Sequence, residues 1–490
     1  MPGSLSAQPG DMCYTFSSKR GFPMGEQQFD LVVIGGGPAG VRAAERVARS
    51  GRSVMLIEQH AVGGTCLNYG CMPAKSMIAC GILYRDAHEA AFLGIDTDTI
   101  EYRQQMAVKH KDLVLKRMRS GMRDQLEKAG VTLIEGTAHI TAPHRVEVDG
   151  KTVRGENILM CTGTVQGDLT IPTARARIPV IAANAAFDLP KLPARVAIVG
   201  AGYIGLEIAS WLNMVGTEVT VVSEHSEILG FAGADIGRRM RLALSTVEFL
   251  CGFDVSEVDG NELVLKQKDQ EGTPKRIETD MVIQVVSRTP RLSAVALKGL
   301  EYTDRGVVVD AKMRSNIPSL YAAGDVTGLL NLAHAAYRMA DVAVNTMYGD
   351  GTDRFESTMV PWIVYTTPQL AGCGLHEEAA RAEGFTVESS LFTLSANSRY
   401  AHAHFDPKGW CRLVYEVASG RIRGCFLMGE GVSEIIGQAS VAISAGMTLR
   451  DLARTAVPHP TVSEALSDAA DTAELRRVKS VTGHGFHPHL

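Results

Sequence analysis

The chain has 490 residues, 45% of them hydrophobic and 21% charged, which is ordinary globular composition and enough for roughly three domains. A formal net charge of -5 gives no support for binding to nucleic acid or an anionic membrane, and no stretch approaches the roughly 20 apolar residues of a membrane helix. Cysteines at 13, 66, 71, 80, 161, 251, 373, 411 and 425 are odd in number and scattered. That argues against a structural disulfide framework, and most of them read as small core residues.

Residues 1–28 are rich in Gly, Ser and Pro and read as a disordered lead-in. Lys19 and Arg20 among serines lean toward a transit peptide for the mitochondrial matrix. Asp11, Glu26 and the lack of an amphipathic stretch argue against it, so the preferred compartment is the cytoplasm. Residues 30–58 then run strand, tight turn, helix, strand. Gly35 permits the turn, Gly37 lets the backbone approach a pyrophosphate, and Gly40 lets helix pack on strand. Glu58 ends the second strand, where a carboxylate can accept both ribose hydroxyls.

Next comes Gly63-Gly64-Thr65-Cys66-Leu67-Asn68-Tyr69-Gly70-Cys71-Met72-Pro73-Ala74-Lys75. A Cys-x4-Cys pair following a nucleotide fingerprint describes an enzyme that passes electrons between a dithiol and a flavin. In an ideal helix residues five apart would have Cα atoms roughly 8–9 Å apart, beyond the ~7 Å reach of a disulfide. The helix start is therefore expected to be distorted, with Gly70 and Pro73 permitting it. A strained disulfide is easily reduced, and a helix N-terminus favours the thiolate. Lys75 lies four residues after Cys71, on the same helical face and aimed at the same flavin ring.

The nucleotide pattern recurs at 195–224, with Gly200, Gly202 and Gly205 between two Val-rich strands. Two such units imply two dinucleotides, a flavin (FAD) in the first and a nicotinamide in the second. The second strand ends in Val222-Ser223-Glu224-His225 with no arginine before Arg238, so the charge logic favours NAD over NADP. Residues 356–475 carry alternating runs such as 410–416 and helical stretches such as 432–445, an α+β pattern without a phosphate loop. His459 has the intrinsic basicity to take a thiol proton near neutral pH, and Glu464 could orient it. Thr461-x-x-Glu464 is equally a helix capping box, and both roles can coexist. His484, His487 and His489 read as a frayed tail rather than a metal site.

From residue 29 to 475 the chain resembles the pyridine nucleotide–disulfide oxidoreductases, and among them most the dihydrolipoamide dehydrogenases. The Cys motif, Leu159-Met-Cys-Thr162-Gly163-Thr164, the second fingerprint, Leu320-Tyr-Ala-Ala-Gly-Asp325, Asn331-Leu332-Ala333-His334 and His459-Pro-Thr-Val-Ser-Glu464 follow the family's order. The resemblance implies an α/β fold: two Rossmann-like domains for FAD (29–165 and 290–355) and NAD (166–289), then a dimerisation domain (356–478) and a tail (479–490). It implies that Cys66 meets substrate and that Cys71 contacts the flavin. Glu207 would pair with Lys75. Gly64, Thr65, Ala138, Thr162, Gly163, Asp325, Leu332, Ala333 and His334 would line the FAD site, and Tyr203, Ile204 and Ser287 the NAD site. Tyr203 could also gate nicotinamide entry. His459 would act on the disulfide of the other subunit, making the active form a homodimer.

The implied reaction oxidises dihydrolipoyl groups on a separate lipoylated carrier, with NAD+ as acceptor, because no lipoyl domain precedes residue 29. Two departures bear on the flavin's potential and the nicotinamide preference, and motivate an alternative, a relative acting on an unusual lipoylated carrier; another disulfide, as in mercuric or glutathione-type reductases, is the further alternative. The family's Gly-Arg-x-Pro is here Ser287-Arg288-Thr289-Pro290, and a charged segment is replaced by Ala335-Ala336-Tyr337-Arg338-Met339. A mercuric reductase is disfavoured by a tail without cysteine, and a glutathione-type reductase by Glu224. Cys66, Cys71 and His459 are all present, which weighs against a retired enzyme kept as a binding protein.

Overall fold

The computed structural model describes residues 27–482 except 97, 269–271, 296 and 404–407. Cys13, most of the expected lead-in and the three tail histidines lie outside the described residues. Strand Gln27–Ile34 is flanked in parallel by Val54–Glu58 and Lys151–Met160. Thr132–Glu135 and Leu320–Ala322 extend the parallel sheet, and an antiparallel pair, Ala138–Ala142 and Arg145–Val148, completes it. The central strand reads as a continuous apolar run because both its faces are covered. Leu31 and Val33 face a cluster built with two helices, whereas Val32 and Ile34 face Met55, Ile57 and Val146. Those helices are Pro38–Arg49 and Ala333–Tyr348. Ala39, Ala43, Ala335, Ala336, Ala340 and Ala343 keep them close, and Asp341 bridges Arg42 and Arg46 at 2.8 and 3.0 Å.

A second parallel sheet is ordered Glu248–Cys251, Glu218–Ser223, Arg195–Val199, Met281–Gln284 and Val180–Ala182. An antiparallel meander, Phe253–Gly260, Glu262–Gln267 and Lys275–Glu278, follows its last helix crossover. Its helix Tyr203–Met214 is buried from Gly205 to Leu212, including Trp211, because helix Cys71–Glu89 of the first domain packs against it. The chain crosses between the two nucleotide domains on an antiparallel pair, Thr164–Gln166 with Arg288–Pro290. The third unit is a five-stranded antiparallel sheet covered by helices Val432–Ser444 and Glu464–Thr482. Cys373, Cys411 and Cys425 are fully buried in it as small core residues.

This is the expected α/β architecture of two Rossmann-like domains and an α+β domain. Two edges differ from the expected limits. Gln27 and Gln28, placed in the lead-in by composition, pair with Val153 and Arg154, since a sheet edge can recruit polar residues through their backbone alone. At the other end, helix Glu464–Thr482 runs on into the expected tail.

Candidate active site

Cys66 and Cys71 are both half-buried free thiols. The expected distortion is a complete break. Helix Gly64–Asn68 ends at Tyr69, Gly70 takes φ -129 and ψ -96, and a new helix, Cys71–Glu89, begins at the second cysteine. Cys71 thus sits where the first-turn N–H groups have no side-chain cap and favour an anion. A hydrogen bond from the Cys66 S–H holds the Cys71 thiol below its ordinary pKa, against the effect of burial, and the Lys75 ammonium adds to the lowering. The same hydrogen bond, with burial, pushes Cys66 far up. The pair therefore favours ionisation at Cys71 over Cys66.

Lys75 is fixed by tertiary contacts. Its Nζ lies 2.9 and 2.7 Å from the two carboxylate oxygens of Glu207, on the second nucleotide domain's helix, and 4.4 Å from the centre of the Tyr365 ring. The buried Glu207 also accepts the Tyr365 backbone N–H at 3.0 Å. All three domains meet at this ion pair, and its satisfied carboxylate makes its burial tolerable.

The two fingerprints share one geometry. A Cβ on Gly40 would fall 1.9 Å from the Gly35 carbonyl oxygen, and one on Gly205 1.9 Å from that of Gly200, so helix and turn are in contact. Gly35 and Gly200 have φ of 105° and 118°. The middle glycines face space: nothing lies within 4 Å of a Gly202 Cβ, and only the Gly64 Cα, at 4.0 Å, approaches that of Gly37. Gly37 and Gly202 cap 12-residue helices without any side-chain acceptor on the first N–H groups, the arrangement a pyrophosphate completes. Glu58 accepts Gly36 N–H at 2.7 Å and His60 N–H at 2.8 Å, which aims its carboxylate across the first turn.

Around the first fingerprint the remaining expected residues are placed as follows. Thr162 donates its hydroxyl to the Arg291 carbonyl at 2.7 Å, and Gly163 turns with φ 67. Ala138 is buried at the start of its strand. Leu332 is the N-cap residue of helix Ala333–Tyr348 and supplies no side-chain cap. Asp325 accepts the Thr164 hydroxyl at 3.3 Å, and burial raises its pKa, opposed by the neighbouring Arg288 charge and by Thr164. His334 is exposed, and its Nε2–H donates to the Pro361 carbonyl of the third domain. These residues fit FAD.

The second fingerprint opens on a cleft of about 760 Å³, lined among others by Gly200, Gly202, Glu224, Glu227, Asp254 and Phe231. Carboxylates are its charged lining apart from His225, and Glu224 itself is exposed, with Lys268 at 3.5 Å. Tyr203 and Ile204 are half-buried at the helix start, and burial raises the Tyr203 pKa. Ser287 is exposed, its carbonyl accepting Gly167 N–H at 2.9 Å. These residues fit a nicotinamide dinucleotide.

His459 donates from Nδ1 to Glu464 at 2.8 Å. The other Glu464 oxygen accepts the Thr461 backbone N–H at 2.8 Å, and this bond, then the one to His459, lowers the Glu464 pKa. An ionised carboxylate only accepts, so Nδ1 carries the proton and Nε2 is left as the base. The capping box is half present, because the Thr461 hydroxyl donates to the Pro458 carbonyl instead of capping the helix. The imidazole is 71% exposed, and among the described residues no hydrogen bond joins this pair to the thiols of the same chain.

Sequence reasoning passed over Arg288 and Tyr365. The Arg288 guanidinium donates to the Thr164 hydroxyl (2.8 Å) and carbonyl (3.1 Å) and to the Thr65 hydroxyl (3.2 Å), tying the thiol helix to the domain crossover. Its signal was visible, as the arginine retained in Ser287-Arg288-Thr289-Pro290. Tyr365 had no local signal.

The family model for pyridine nucleotide-disulphide oxidoreductases matches residues 29–340, and that for the dimerisation domain of such enzymes matches 360–470. The mitochondrial dihydrolipoyl dehydrogenase 1 of Arabidopsis thaliana is 32% identical over 484 residues, covering 95% of each chain. The leghemoglobin reductase of Glycine max is 32% identical over 468 residues, 92% of this chain and 88% of that one. Among solved structures, the HOCl-induced flavoprotein disulfide reductase RclA from Escherichia coli superposes with a TM-score of 0.78 at 25% identity, covering 90% of this chain and 99% of that one.

Proposed function

Because the chain belongs to the pyridine nucleotide-disulphide oxidoreductase family, whose members use FAD and NAD(H), we propose that it is a dihydrolipoyl dehydrogenase. It oxidises dihydrolipoyl groups on a separate carrier protein and delivers the electrons to NAD+. The observation that carries this reading is the adjacent Cys66 and Cys71 at a helix start, with Lys75 and Glu207 beside them and an oriented base, His459, elsewhere on the chain.

In the oxidised enzyme Cys66 and Cys71 form a disulfide. His459 Nε2 takes a proton from a dihydrolipoyl thiol, and the resulting thiolate attacks the Cys66 sulfur, expelling Cys71 as thiolate. The second substrate thiol then attacks the mixed disulfide, closing the lipoyl ring, and Cys66 leaves as a thiol that keeps a proton from the substrate. Glu464 stabilises the charged imidazole between these steps. FAD, when bound, carries the electron pair from the dithiol to NAD+. Gly35, Gly37, Gly40 and Glu58 would hold its adenosine half, with Asp325 and the 332–334 helix start along the rest. Gly200, Gly202, Gly205 and Glu224 would hold NAD, with Tyr203 and Ser287 at the rim. The domain limits read from sequence serve this division of labour.

The active form in this reading is a homodimer, supported by the dimerisation-domain match and by the exposure of both His459 and a run of large apolar residues, Leu83, Phe92, Leu93 and Ile95. No described helix is long and apolar enough to cross a membrane, and we place the enzyme in the cytoplasm. A second reading, reduction of a different disulfide or acceptor, is favoured by the exposed Tyr337, within electrostatic reach of the thiols, where a charged segment was expected.

Steady-state reduction of NAD+ and of NADP+ by dihydrolipoamide, with the purified flavoprotein, separates these readings. Fast turnover with NAD+ alone is expected. A protein that keeps its flavin yet barely turns over dihydrolipoamide would overturn the first reading in favour of the second.

A further inference from the structure

The loop that follows Glu224 carries a large apolar side chain into the nucleotide cleft. Phe231 lines the cleft and is 53% exposed, although its neighbours Leu229 and Ala232 are buried. An exposed phenyl ring on a surface loop loses favourable burial and is ordinarily unremarkable when isolated. This one is held from two directions. Leu229 takes a left-handed conformation (φ 52, ψ 46), which is strained for a branched side chain, and its N–H donates to the Ala201 carbonyl of the second fingerprint at 3.2 Å. That bond sets the loop level with the pyrophosphate turn.

On the far side, the Phe231 ring stands edge-on to Trp362 of the third domain, with centroids 5.1 Å apart and planes at 83°. Trp362 rests in turn on Phe426, and its ring occupies the space above Gly372, where a Cβ would come within 2.5 Å of it. The helix after the loop is pinned to the same sheet by Asp235 and Arg412 at 2.6 Å. Three residues beyond Trp362, the Tyr365 N–H bonds Glu207, the partner of Lys75. Phe231 lines the same stretch of the cleft as Gly200, Gly202 and Glu224, beside the pyrophosphate turn. Glu224, which suits the adenosine ribose, lies at the end of strand Glu218–Ser223.

We infer that Phe231 is a positioning residue for the dinucleotide: its ring, held by Trp362, packs against the adenosine–pyrophosphate half of bound NAD. The inference rests on the reading of the second fingerprint as the NAD site. It does not depend on dihydrolipoamide being the dithiol substrate.

The test is calorimetric titration of NAD+ into the oxidised holoenzyme, with the half-reaction of NADH measured separately, for Phe231→Ala, Phe231→Tyr and Trp362→Leu. Since Phe231 is exposed, its truncation is expected to leave folding and flavin content unchanged. Loss of an aromatic contact of this kind should weaken NAD+ binding roughly three- to tenfold in Phe231→Ala. Phe231→Tyr should bind as the native protein does, and Trp362→Leu should show a smaller loss in the same direction. The rate of dithiol-driven flavin reduction, with NAD+ omitted, should not move. Unchanged NAD+ affinity in Phe231→Ala would overturn the inference, as would equal slowing of the dithiol half-reaction. Failure of dihydrolipoamide as substrate leaves every NAD+ and NADH readout in place, so the two readings fail separately.

Discussion

Within one chain, Cys66 and Cys71 tune each other. Each sets the other's protonation, Lys75 adds its charge, and Glu207 and Tyr365 hold Lys75 from two other domains. His459 and Glu464 are oriented with equal care, by a 2.8 Å bond and a second backbone bond, yet the imidazole is 71% exposed and aimed at nothing in its own chain that it bonds besides Glu464. A base with a fixed tautomer costs conformational freedom to hold, and on an isolated surface that cost has no return. The difference between a finished half-site and an exposed one is what the proposed homodimer would explain, with the two halves meeting between copies of the chain.

The largest effects test that division directly. Cys66→Ser should abolish dithiol turnover, and His459→Gln should reduce it about 100- to 10,000-fold, the range for removing a general base. Dimers refolded or co-expressed from the two variants should recover activity, since one of the two sites in each hybrid then pairs an intact Cys66 with an intact His459. Hybrids as inactive as either parent would place His459 and the thiols in one chain and break the comparison. Glu464→Gln should cost less, about 10- to 100-fold in kcat, because the amide oxygen still accepts the Nδ1–H while the charge that favours the protonated imidazole is gone. An equal loss in Glu464→Gln and His459→Gln would mean that the carboxylate serves mainly to build the helix start.

What the sequence made legible follows the same line. The two Gly-x-Gly-x-x-Gly turns, the strands before them and the Cys pair are local: each is decided within about a dozen residues by which backbone angles and close approaches glycine alone allows. The break at Tyr69–Gly70 was readable for that reason, from the mismatch between helical spacing and the reach of a disulfide. Tyr365 and Phe231 were not, and for Arg288 the motif was visible but its role was not. Their partners, Thr65, Glu207 and Trp362, lie more than a hundred residues away in sequence, and no periodicity marks a residue whose role is set by a neighbour from another domain. The Thr461-x-x-Glu464 ambiguity sits between these cases. Sequence offered a capping box or a catalytic pair, and one carboxylate serves both His459 and the Thr461 backbone because it has two oxygens.

The smallest effect sharpens the thiol side of the comparison. In the reduced enzyme the Cys71 pKa is lowered chiefly by the Cys66 hydrogen bond and further by Lys75, so Lys75→Met should move the Cys71 titration up, part of the way back toward an ordinary thiol. Cys66→Ala, which removes the larger contribution, should move it further. A thiol with a lower pKa folded than unfolded stabilises the fold fully above the ordinary thiol range, and that contribution is lost as pH falls through the lowered value. The reduced native enzyme should therefore gain stability with rising pH across that window, and Lys75→Met should narrow the window from its lower end. The pH profile of alkylation at Cys71 by iodoacetamide measures the titration, and denaturant unfolding of the reduced protein measures the linkage. Superimposable alkylation profiles for native and Lys75→Met enzyme would show that the ion pair with Glu207 neutralises Lys75 toward the thiolate, leaving the Cys66 proton as the device that holds Cys71 ionised.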